Sequence, residues 1–171
     1  MARGNRIIVS ANPKGHFQEV IVDGTPKPGT IMTVKPGTTP DGNGTPEYEA
    51  AGASAGLMAA DGDRIPIAVL LSGADGEAAC PPGRTATDAY VDGDRATVYF
   101  PIAGETLNVL FGNQAGTGDD LAAGTTKMIV DDGTGKLLPT ASTPESEPFI
   151  ALENYTDPAA DKLVHALFTG Y

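Results

Sequence analysis

Apolar and polar positions alternate along this chain in runs of about four to eight residues, and glycine, proline, asparagine or aspartate ends almost every run. The pattern predicts strands near residues 6–11, 16–22, 30–35, 46–51, 65–72, 86–91, 95–102, 105–111, 127–131, 137–142, 148–155 and 162–169. Regular short strands with turn residues between them mark a sandwich or a barrel. The clearest alternation is RATVYFPI, with Ala96, Val98, Phe100 and Ile102 on one face and Arg95, Thr97, Tyr99 and Pro101 on the other. Pro101 has no N–H to give a ladder, so this strand lies at a sheet edge or stops there. ETLNVLF follows after Ala103-Gly104 with Leu107, Val109 and Phe111 on one side, which predicts a hairpin over residues 95–111. IPIAVLLSG is apolar almost throughout and fits a strand buried on both faces.

The final segment fits two periods. In TDPAADKLVHALFTGY, the residues Ala160, Leu163, Val164, Leu167 and Phe168 form a helical stripe, with Asp157 as a cap and Gly170 as a stop. LVHALFT also reads as a strand. On local grounds the helix is slightly the stronger reading, and both stay open. Residues 36–46 and 72–84 read as long loops.

Composition supports the β reading. The 171 residues include 22 Gly and 14 Pro, while hydrophobic content of 40% still supplies a core. Val, Ile, Thr and Tyr dominate between the turns, where they suit a pleated surface. A chain of this length forms one domain by default. Charge is uneven. Residues 1–35 hold Arg3, Arg6, Lys14, Lys27 and Lys35 against Glu19 and Asp23, whereas the remaining residues are strongly acidic, for a formal net of −11. An acidic body repels nucleic acid and anionic membrane, and no apolar run is long enough to span a bilayer as a helix. A basic leader on such a body suits an arm that docks on a partner. The leader lacks the apolar stretch of an export signal, so a soluble product assembled inside a cell is expected.

Candidate chemistry fails position by position. GDDLAAGTTKMIVDDGTGKLLP, residues 118–139, has aspartates and a Gly-Lys pair, but a phosphate loop ending at Gly135-Lys136 needs glycine where Val130 stands and Ser or Thr where Leu137 stands. A calcium loop from Asp131 meets Gly133 at a ligand position, and one from Asp41 meets Pro46 and Gly52 at two essential positions. The aspartates and glycines are therefore expected to make a turn. GASAG, residues 52–56, matches a nucleophile elbow with Ser54, and His165 follows in hydrolase order, but the flanking strand and helix are missing. Cys80 is the sole cysteine, and His16 and His165 are the only histidines, too few for a metal centre. Glu47 and Glu49 share one side of a strand and read as a solvated face. No enzyme, no cofactor and no metal are expected.

The ordered set of pieces GHFQEVIVDGTPKPGTIMTV (15–34), DAYVDGDRATVYFPIAGETLNVLF (88–111), the 118–139 stretch and EPFIALENYTDPAADKLVHALFTGY (147–171) resembles the decoration, or cement, proteins of tailed bacteriophage capsids. The resemblance implies a single-domain, mainly β barrel or β-tulip-like body with long loops and little helix, and it makes the last segment a strand. It further implies a homotrimer on the outer face of the capsid, with residues 1–25 as N-terminal arm and first strands and 26–171 as the body. The major capsid protein would be the partner and the virion the location. The arm residues expected to make contact are Arg3, Arg6, Ile7, Ile8, Val9 and Lys14, the isoleucines and valine by adding a strand to a partner's edge. The 36–46 and 72–84 loops have no counterpart in that family. A rival reading is a carbohydrate- or host-surface-binding barrel of a fibre, for which Tyr48, Tyr90, Tyr99 and Tyr155 are the available aromatic platforms.

Overall fold

The computed structural model describes residues 7–10, 13–37, 42, 44–51, 66–72, 88–112, 120–131, 133–140, 148–156 and 160–170. Among the described residues every regular element is a strand: β1 (His16–Val22), β2 (Ile31–Val34), β3 (Glu47–Ala50), β4 (Ala68–Leu70), β5 (Arg95–Phe100), β6 (Thr106–Phe111), β7 (Lys127–Val130), β8 (Leu137–Thr140), β9 (Phe149–Ala151) and β10 (Lys162–Phe168). They close into two five-stranded barrels, in the order β1-β3-β2-β4-β5 and β10-β6-β8-β7-β9. The mainly β fold read from the sequence is the fold observed, in the form of two rings built from consecutive parts of the chain.

Each ring has its own apolar filling. Val20, Val22, Met32, Ala68, Leu70, Ala96 and Val98 fill the first, with Tyr48 and Tyr90. Leu107, Val109 and Phe111 of β6, Val164, Ala166 and Phe168 of β10, and Met128, Val130, Leu137 and Phe149 fill the second. Strand alternation then joins the rings. Ile67, Val69 and Leu71 point away from the first barrel into the same cluster that fills the second, as do Ile31 and Tyr99. Residues 67–71 are therefore buried on both faces, one in each core.

Backbone bonds also cross the seam. The Gly29 N–H donates to Leu70 O (2.8 Å), and Gly29 O accepts from Leu110 N–H (2.9 Å). The β7–β8 turn reaches into the first ring, where Gly135 N–H donates to Ala51 O (3.1 Å) and Gly135 O accepts from Ile31 N–H (2.7 Å). Gly135 has φ +62°, and a Cβ there would sit 2.3 Å from Ile31 O. Only glycine fits both the left-handed backbone and the space. The 118–139 stretch thus supplies a turn, as expected, and also the joint between the rings.

Four local expectations are corrected. The hairpin over 95–111 does not form: β5 pairs with β1 and β4, β6 pairs with β10 and β8, and Ala103-Gly104 carries the chain from one ring to the other. The helical stripe at 160–168 is β10, because pairing with β6 from Lys162 to Leu167 and with β9 satisfies its backbone and sets Val164, Ala166 and Phe168 inward. Tertiary pairing here overrides a local period. Residues 88–91 form no strand; buried Tyr90 anchors them by donating its hydroxyl to Leu71 O at 2.9 Å. Of the strand expected over 6–11, the described residues 7–10 show a single bridge, from Ile8 to Leu107.

Candidate functional site

The sequence placed the site on the N-terminal leader, and the structure divides those residues. Ile7 and Ile8 are buried, 0% and 6% exposed, within the second barrel's core. The segment runs antiparallel to β6: Asn108 N–H donates to Ile7 O (2.7 Å), and Val9 and Ser10 N–H donate to Thr106 O (3.1 and 3.2 Å). It occupies the side of β6 where β8 touches only through Phe111 and Leu137. Val9 is 41% exposed and Lys14 is also at the surface, while Arg3 and Arg6 lie outside the described residues. Two apolar residues expected to reach a partner are thus spent on the chain's own barrel.

Behind this segment sits a buried carboxylate that the sequence did not single out. Glu105, 6% exposed, accepts from Lys14 N–H (2.6 Å) through Oε1, and from the Tyr99 hydroxyl (2.7 Å) and Ile102 N–H (3.0 Å) through Oε2. Tyr99 Oη in turn accepts from Gly15 N–H at 2.8 Å. Burial pushes the Glu105 carboxyl up, but the donors from Lys14, Tyr99 and Ile102 outweigh it and hold it below the ordinary glutamate range. Burial and the neighbouring Glu105 push the Tyr99 hydroxyl up to about 12. The cluster is a clasp that fixes residues 14–15 onto the link between the rings.

On the seam lies a groove of about 590 Å³. Its charged lining comes from Asp23 and Lys27 after β1, Glu49 of β3, Lys136 of the β7–β8 turn and Asp161 before β10. Lys136 pairs with Asp161 at 2.8 Å, and Asp23 with Lys35 at 2.7 Å, Lys35 also holding Glu47 at 2.8 Å. Hydrogen bonds to Asp23 and Glu47 raise the Lys35 ammonium further above its usual range. The volume suits a small ligand, and the lining mixes these charges with Pro26, Ala50 and Leu110, but Lys136–Asp161 and Asp23–Lys35 are already paired.

The remaining candidates do not converge. Glu47 is taken up by Lys35, and Glu49 lines the groove. His165 lies mid-strand opposite Asn108, with its backbone N–H donating to Glu153 Oε1 at 2.8 Å; Ser54, Cys80 and Asp41 lie outside the described residues. The Asp131 carboxylate accepts the Thr134 hydroxyl (2.8 Å) inside its own turn. Among the described residues no three His, Cys, Asp or Glu side chains form a group fit for a metal ion. Tyr48, Tyr90 and Tyr99 are at most 4% exposed, so of the four platform candidates only Tyr155 offers a partly open ring, and the Lys162 ammonium lies 3.8 Å above it.

No family model matches this sequence, and no curated protein does. Among solved structures, the N base of the head fiber gp8.5 of bacteriophage phi29 is similar in fold. Its TM-score is 0.50 at 13% identity, over 91% of this chain and 94% of that one.

Proposed function

We propose that this chain is a structural protein of a tailed-phage virion that binds the major capsid protein on the outer surface of the shell and stabilises the lattice. The observation that carries the reading is a fold shared, over nearly the whole of both chains, with the base of a phage head fiber. The ordered motifs that resemble capsid decoration proteins support it independently. Reinforcing a shell needs area, shape and many copies rather than a reacting group, so no enzyme activity, cofactor or metal enters the proposal. An interface of about 800 Å² per partner, repeated by a homotrimer, gives avidity that one contact lacks. The lattice contact is assigned to Arg3, Arg6 and Lys14 of the leader. Ile7 and Ile8 support it from inside by fixing where the leader leaves the barrel.

The rival reading as a carbohydrate-binding module loses ground because Tyr48, Tyr90 and Tyr99 are buried and hydrogen-bonded, with no face left for a sugar to stack on. The test is electron microscopy of particles assembled with and without the chain, together with co-sedimentation. Density on the outer shell, and particles that resist heat better when decorated, are expected. A chain found only on a tail fibre, or absent from particles, would refute the assignment.

A further inference from the structure

We propose that residues 7–10 are an exchangeable segment, and that the slot beside β6 receives this same segment from a second copy of the chain. The starting point is that these residues are separable from both rings. The second barrel already closes through β6 and β8 at Phe111 and Leu137, and the first begins only at His16. The clasp at Glu105 holds the chain at Lys14 and Gly15, so the segment ahead of it can leave without unravelling either barrel. That makes Lys14 a fixed hinge and residues 7–10 a detachable tip.

The slot fits one occupant best. It buries the two isoleucine side chains, meets three backbone bonds in register, and binds the Ser10 hydroxyl to Thr106 N–H at 2.9 Å. All of these are reproduced unchanged when the segment comes from another copy, which is why exchange of an identical element costs little. What decides the balance is what exchange adds. Four large apolar residues are exposed among those described, and two of them, Val9 (41%) and Ile102 (44%), lie at this hinge, their N–H groups bonded to Thr106 and Glu105. Ser10 and Lys14 are at most about 14 Å apart along the chain, so a neighbour's slot must come that close. Copies that exchange tips therefore meet at the end where Val9 and Ile102 stand, and cover them.

The test uses the full chain carrying Cys80→Ser, Ser10→Cys and Thr106→Cys. The native hydroxyls at 10 and 106 are 3.5 Å apart, so oxidation links each tip to the slot it occupies. On a denaturing gel without reductant, exchange gives covalent dimers or larger rings, in a share that rises with the concentration at which the chain was folded. Product of single-chain mass at every concentration, or no link at all, overturns the proposal. Light scattering of Val9→Asp supplies the second reading. Its association is expected to weaken by about tenfold, and association equal to that of the unaltered chain overturns the contact.

Discussion

At the scale of single residues, two positions hold more of the molecule together than their side chains suggest. Gly135 combines a left-handed backbone with a backbone oxygen where a Cβ would go, whereas Gly133, φ +71°, has nothing within 4 Å of that point. Gly135→Ala is therefore expected to cost roughly 2–4 kcal/mol, and Gly133→Ala only about 1 kcal/mol. Equilibrium urea unfolding of the two variants checks the difference, and equal losses would refute the seam contact. Glu105 makes the second position. Its folded value lies below its unfolded one, so its stabilisation is complete above about pH 4.3. That stabilisation is lost as pH falls through the lower folded value. Glu105→Gln should cost roughly 1–3 kcal/mol at neutral pH and flatten the acid limb of the stability profile. Tyr99 works in the opposite direction. Raised to about 12, it contributes fully below about pH 10 and is lost as pH climbs through 12. Tyr99→Phe should remove that alkaline limb, read from unfolding midpoints between pH 9 and pH 12.

At the scale of elements, the helix and strand readings of the last segment give different cores. A helical stripe puts Leu163, Val164, Leu167 and Phe168 on one face, whereas the strand sends Phe168 inward and leaves Leu167 half-buried. Phe168→Ala should cost roughly 3–5 kcal/mol and Leu167→Ala under about 1 kcal/mol. Similar losses at both would favour the helix. The strands themselves were legible because alternation with turn residues at both ends is a local signal, and β5, β6 and β7 lie where that signal put them. Partner choice was not legible. Ala103-Gly104 reads as a hairpin turn, but whether the chain folds back on β5 or crosses to a new ring depends on β10, more than fifty residues later. The candidate site was legible only in part for the same reason. Ile7 and Ile8 announce a strand, but only β6 reveals that their partner lies within the chain, and nothing beside Glu105 in sequence indicates that Lys14 and Tyr99 converge on it.

At the scale of the whole molecule, the two rings share an apolar cluster and a backbone seam, so neither is expected to unfold alone. Calorimetry should show one transition whose calorimetric and van't Hoff enthalpies agree, and two separated transitions would contradict the shared core. Pairing the leader with β6 has a further consequence, in time rather than in space. During synthesis the first ring has all its strands once Phe100 is made, but the slot for Ile7 and Ile8 waits for β6 to β10. At ribosomal speeds of about 5–20 residues per second, those nearly seventy residues take on the order of 3–14 s. For that interval each nascent chain trails two bare isoleucines ahead of a first ring whose strands are all made. On a crowded message, the nearest finished slot belongs to the chain made just before it.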